Sequence, residues 1–167
     1  MGDIHKIMVA IAFSDYSQGI FEFGARLARN LDAEILLVSV INQRDVAAVR
    51  KVAALGYAID GEHYVQGVRE DRLKMLADFV AQTGFPRERI TVRILLGDPL
   101  EELLKTALGE KVDLIVMGVK GRSELEHVLV GSVAEKMFRR SPITIVSYRG
   151  EKEARHLRKR VAHLLSD

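Results

Sequence analysis

Five short runs of the chain are nearly unbroken in apolar residues, and between them apolar positions return every three or four residues. The first pattern covers "KIMVAIA" from Lys6, "EILLVSVI" from Glu34, "ITVRILL" from Ile90, "VDLIVM" from Val112 and "ITIVSY" from Ile143. All but "ITVRILL" are almost continuous Val, Ile, Leu and Met, as expected of parallel strands covered on both faces. The second pattern belongs to helices. Ile20, Gly24, Leu27, Ala28 and Leu31 recur at helical spacing, then Leu73, Leu76, Ala77 and Val80, then Leu100, Leu103, Leu104, Ala107 and Leu108. Strand and helix alternate, which predicts an α/β fold: an open five-stranded parallel sheet with helices on both faces.

Turn chemistry marks the element ends. Asp98 is placed to cap the third of these helices, Pro99 fits its first turn, Glu101 completes a capping-box pattern and Gly109 stops it. Gly84 followed by Pro86 ends the preceding helix. Residues 42–70 are too long for a simple connection. Val46, Val49, Val52 and Ala53 predict one helix there, broken between Gly56 and Gly61. The stretch reads as a surface excursion, with a lid or partner surface as the alternative.

Composition narrows the class. A chain of 167 residues suits one domain with a full core, and 48% hydrophobic with 29% charged residues is ordinary for a soluble globular protein. With no cysteine, disulfides and thiolate zinc sites are excluded. The start, "MGDIHKIMVAIAF", is too short for a membrane span and lacks a signal-peptide cleavage site, so a cytoplasmic location is expected, with no membrane. A net charge of +2 does not point to nucleic acid.

Charge is uneven, however. Residues 149–167 hold six Lys/Arg against three acids, and Ala154, Leu157, Val161 and Leu164 recur through them. The expected division is therefore a domain over 1–148 and a basic amphipathic helix over 149–167. Packing on its own domain or a dimer partner is the first reading of that helix. A protein partner is the second. An anionic membrane or nucleic acid comes last, because the apolar face is small and lacks aromatics.

Candidate chemistry gathers in "GVKGRSELEHVLVGS", residues 118–132. Gly118 directly follows a predicted strand, at the carboxyl edge where open parallel sheets collect ligands. Glycine admits positive φ and lets a ligand approach backbone amides closely. Gly131-Ser132 precedes "VAEKMF", a predicted helix start with Ser132 as cap and Glu135 as its return partner. A second box, Ser123 with Glu126, lies between. Two anion-receptive edges thus face one point, and phosphate is the natural guest. Lys120 and Arg122 either neutralise its charge or are solvated loop cations.

Gly118-x-x-Gly121, nine residues, then Gly131-Ser132 resembles the nucleotide-binding signature of the universal stress protein family. "KIMVAIAFSDYS", "AEILLVSVI", "LLGDPLEELL", "DLIVMGVKG" and "SPITIVSY" are similar to further parts of that family's fold, over roughly residues 4–148. The resemblance implies strand order 3-2-1-4-5, a homodimer through the strand at 143–148, and binding of an adenine nucleotide, ATP or AMP, with Mg²⁺ as an optional companion. It places phosphate contacts on Met117, Gly118, Gly121, Gly131, Ser132 and Val133, with Arg122 beside them, and the adenine against the Val40 backbone. It also exposes a departure. Nucleotide-binding members commonly carry an aspartate where this chain has Ala12. Asp15 either substitutes for it or caps the first helix. A dimeric scaffold without nucleotide is the alternative function.

Enzyme signatures are missing. No glycine precedes a lysine, there is no Gly-x-Gly-x-x-Gly, and neither Ser123 nor Ser132 has the flanks of a nucleophile elbow. His5, His63, His127, His156 and His163 lack zinc-ligand spacing, and Asp60, Glu62 and His63 read as a solvated loop. The expectation is a binding protein with at most slow ATP hydrolysis.

Overall fold

The computed structural model describes residues 3–56, 61–119 and 130–165. Its five strands are β1 (Lys6–Ala10), β2 (Glu34–Asn42), β3 (Ile90–Gly97), β4 (Leu114–Gly118) and β5 (Thr144–Tyr148). They form one sheet in the order β3-β2-β1-β4-β5. Every pairing is parallel, with Ile7 of β1 opposite Ile35 of β2 and Leu114 of β4. The expected sheet and order are both present.

Among the described residues six α-helices accompany it: α1 (Ser17–Leu31), α2 (Gln43–Ala53), α3 (Gly61–Thr83), α4 (Pro99–Gly109), α5 (Ser132–Arg140) and α6 (Glu151–Val161). Side chains alternate across the central strands, so each strand feeds two cores. Ile7, Val9, Ile35 and Leu37 pack with Ile20, Phe21 and Leu76 on one face. Met8, Leu36, Val38 and Ile115 pack with Leu100, Leu103 and Met137 on the other. Each such side chain contributes about 1.5–3 kcal/mol by leaving water. A strand buried twice over has no polar face to show, which is why these runs read as continuous.

The two edges behave differently. β3 alternates buried and exposed residues, matching its less continuous sequence. β5 has no fully buried residue, although "ITIVSY" predicts burial on both faces. Among the described residues no strand pairs with the outer side of β5, so its apolar content is left without a sheet neighbour there.

Asp98 caps α4 as expected, its Oδ1 accepting from the N–H groups of Leu100 at 3.0 Å and Glu101 at 3.2 Å. α4 does end at Gly109, but the left-handed residue that turns the chain is Lys111 (φ 53°). Gly84 (φ 60°) closes α3 as expected. The excursion after β2 is more ordered than a bare surface loop. Asn42 Oδ1 accepts from Arg44 N–H at 3.0 Å and caps α2, and Val46 enters the core. No helix among the described residues is long and apolar enough to cross a membrane.

Candidate functional site

β2 lies on one side of β1 and β4 on the other. The connections leaving their carboxyl ends therefore diverge and open a crevice. A cavity of about 280 Å³ occupies it. Ala10, Ala12, Val38, Val40 and Met117 come from the strands and their ends, and Pro99 and Leu103 from α4. Gly118 opens the β4 side, where Gly131, Ser132 and Val133 enter from α5. Seven of the expected site residues, Ala12, Val40, Met117, Gly118, Gly131, Ser132 and Val133, thus line one space. Gly121 and Arg122 lie outside the described residues, as do Lys120, Ser123, Glu126 and His127.

The local reasons differ from the expected ones. The N-cap of α5 is Gly131 (φ −70°, ψ 151°), and Ser132 is already the first helical residue. No side chain among the described residues caps this helix, so the Ser132–Glu135 capping box does not form. Gly131 N–H donates to Val119 O at 2.7 Å, and Glu135 N–H donates to Gly131 O at 2.9 Å. The first bond ties the helix start to the end of β4 one residue earlier than the sequence pattern implies. Ser132 is left exposed at the cavity, and the first turn of α5 brings its partial positive charge to the same edge.

The glycines also act differently. Among the described residues, positive φ occurs at Gly56 and Gly84 and not at Gly118 or Gly131. What Gly118 and Gly131 contribute is the missing Cβ, which leaves main-chain atoms bare against the cavity. The left-handed residue nearby is Phe13 (φ 54°), directly after Ala12. For an aromatic residue that conformation is strained by about 1–3 kcal/mol.

Asp15 takes neither expected role. It does not line the cavity, and α1 is preceded by Tyr16 with no side-chain cap. Ser14 N–H instead donates to Ser17 Oγ at 2.9 Å.

Sequence reasoning missed three polar residues that reach the cavity from the excursion and α3: Asn42, Asp45 and Arg72. Arg72 is only 4% exposed. Its Nη1 donates to Ser39 Oγ at 2.8 Å, and its guanidinium lies 5.0 Å from the centre of the Phe13 ring. A signal did exist. Arg72 stands four residues before Leu76, on the inner stripe of α3, whereas the expected core position Leu73 is 47% exposed.

The sequence model of the universal stress protein family matches residues 3–149. The chain belongs to this family. The universal stress protein YxiE of Bacillus subtilis is 30% identical over 151 residues, covering 85% of this chain and 98% of that protein. The solved structure of MJ0577 from Methanocaldococcus jannaschii superposes with a TM-score of 0.71 at 23% identity, over 90% of this chain and 99% of that one. A universal stress protein solved in complex with cAMP gives a TM-score of 0.60 at 20% identity, over 89% and 98%. These likenesses establish the universal stress protein fold. α6 begins at Glu151, beyond the matched residues.

Proposed function

We propose that this universal stress protein binds an adenine nucleotide, ATP or AMP, in the cavity at the carboxyl ends of β1, β2 and β4. The observation that carries the reading is the convergence of Val40, Ala12 and Met117 with Gly118, Gly131, Ser132 and Val133 around one space. Its apolar walls suit a flat base, and the start of α5 suits a phosphate. At about 280 Å³ the described cavity is just under the roughly 300–1,000 Å³ usual for ligand sites. The relative that binds cAMP supports the same ligand class. Mg²⁺ enters, if at all, as part of the ATP complex.

No catalytic step beyond slow ATP hydrolysis belongs to the proposal. Asp45 and Arg72 line the cavity from α2 and α3, toward β2, whereas Ser132 lies toward β4. Function then runs through surfaces, in the cytoplasm. Among the described residues the outer side of β5 is unpaired, which supports a homodimer through that strand, since a bare strand edge is a template for pairing. Residues 149–167 form an appended segment whose helix offers a basic face to that partner or another protein.

Calorimetry with ATP, ADP and AMP on wild type and Gly118→Ala tests the reading. A Cβ at this position intrudes on the phosphate end, and at least tenfold weaker binding is expected. Equal heats for both proteins would overturn it. A second reading, a dimeric scaffold without nucleotide, is favoured by one observation: Ala12 gives the cavity no carboxylate at the end of β1. That reading predicts no heat from wild type with any nucleotide, and binding only after Ala12→Asp.

A further inference from the structure

We propose that nucleotide in the cavity holds α6 docked on the domain, so that the state of α6 reports whether the cavity is filled. The inference rests on the nucleotide-binding reading above and names a regulation of that same site.

α6 is attached to the domain by its beginning. None of its residues is buried, and residues 158–164 are all exposed. Glu153, Ala154 and Leu157, in the first two turns, are half-buried. The hydroxyl of Tyr16, the residue just ahead of α1, donates to Glu153 Oε1. Among the described residues Glu153 Oε2 is buried without a hydrogen-bond partner. Gly150 precedes the helix and offers no side-chain cap. A Cβ on Gly150 would stand 2.8 Å from Glu153 Oε2 and 2.9 Å from the Tyr16 ring. A bare backbone at 150 is therefore what lets these groups meet. One carboxylate oxygen satisfied and one left unpaired make a weak anchor, open to a modest bias.

Two connections run from this anchor to the cavity. Tyr16 and Glu153 meet Gly118, Val119, Tyr148 and Gly150 around a seam of about 10 Å³, too small for a ligand. Gly118 also lines the nucleotide cavity, so the end of β4 stands between cavity and anchor. The other connection joins β1 to α1: it borders the cavity at Ala12 and reaches the anchor at Tyr16. Tyr148 is the fixed wall of the seam. Its backbone oxygen accepts from Val119 N–H at 3.3 Å, and its ring lies 5.7 Å from that of Phe23. A ligand resting on Ala12 and Gly118 holds both connections in the positions that form the anchor. Binding then favours docked α6, and by linkage a loosened α6 weakens binding.

An α-helix of 11 residues is marginal alone in water, so amide exchange along α6 reads its docking. Hydrogen exchange followed by mass spectrometry, with calorimetry in parallel, is applied to the full chain with and without AMP or ATP. On wild type, saturating nucleotide should slow exchange across α6 at least about threefold. Gly150→Ala and Tyr16→Phe lie away from the cavity lining. Both should quicken that exchange without ligand and weaken nucleotide binding about fivefold or more. Arg158→Ala, which breaks the exposed pair with Glu151 further along α6, should stay within about twofold of wild-type affinity. Nucleotide that binds wild type yet leaves α6 exchange unchanged, or quickens it, overturns the inference while nucleotide binding stands. So does wild-type affinity in both anchor variants, or an equal loss in Arg158→Ala. If wild type gives no heat with either nucleotide, both fall together.

Discussion

At the amino ends of the strands, Lys6 meets Glu110 at 3.6 Å, Arg93 meets the same carboxylate at 3.3 Å, and Arg89 meets Asp32 at 2.9 Å. Asp113 accepts the backbone N–H groups of His5 and Lys6, each at 2.9 Å. Among the described residues, the charged side chains bordering the cavity at the carboxyl ends are Asp45 and Arg72, Asn42 and Ser132 add neutral polar groups, and the rest is apolar side chain or bare backbone. Both rims belong to one sheet. The first spends its charges on one another in water, where such pairs contribute little. The second keeps a guanidinium away from water against a hydroxyl and a ring, where its loss is felt. A dense cluster of charges is therefore a poor guide to a site, and a single buried one is a better guide.

Substitutions at the two rims turn that contrast into measurements. The largest effect should come from Arg72→Ala, which leaves Ser39 Oγ buried without its donor and uncovers the Phe13 ring. Urea unfolding should show a loss of about 2–4 kcal/mol; a loss below about 0.5 kcal/mol would show that the arginine is not integral to the core. Glu110→Ala breaks two ion pairs at once, yet should cost less than about 1 kcal/mol because all the partners are partly exposed. A larger loss would erase the distinction between the rims.

The smallest effect should appear in the pH dependence. Hydrogen bonds from His5 and Lys6 hold the Asp113 carboxyl below its ordinary value. Because the folded value is the lower one, its contribution is complete above the unfolded-state value near ~3.9. It is lost as pH falls through the folded value. The stability difference between wild type and Asp113→Asn should therefore shrink on acidification from pH 6 to pH 3. A difference that stays constant over that interval would contradict the assignment.

Local signals were legible where a local cause operates. Asp98 caps α4 because its side chain reaches amides two and three residues on, an arrangement contained within the sequence segment itself. Ser132 presented an equally good local pattern and failed. A long-range bond from Gly131 N–H to Val119 O moved the start of α5 by one residue. Leu73 and Arg72 make the same point. Both sit near the helical stripe of α3, and the neighbours provided by Ser39 and Phe13 decide which is buried. Such neighbours lie tens of residues away along the chain.

Amino-acid order alone determined the five strands, their parallel arrangement, the flanking helices and the glycine-bearing edge after β4, because apolar periodicity and turn chemistry act over a few residues. Tertiary structure alone decided that the end of β2, α2 and α3 bring Asn42, Asp45 and Arg72 to the same cavity, and that a buried cation lines it together with Ala12. A cavity is bounded by segments distant in sequence, and no local pattern records which of them will meet.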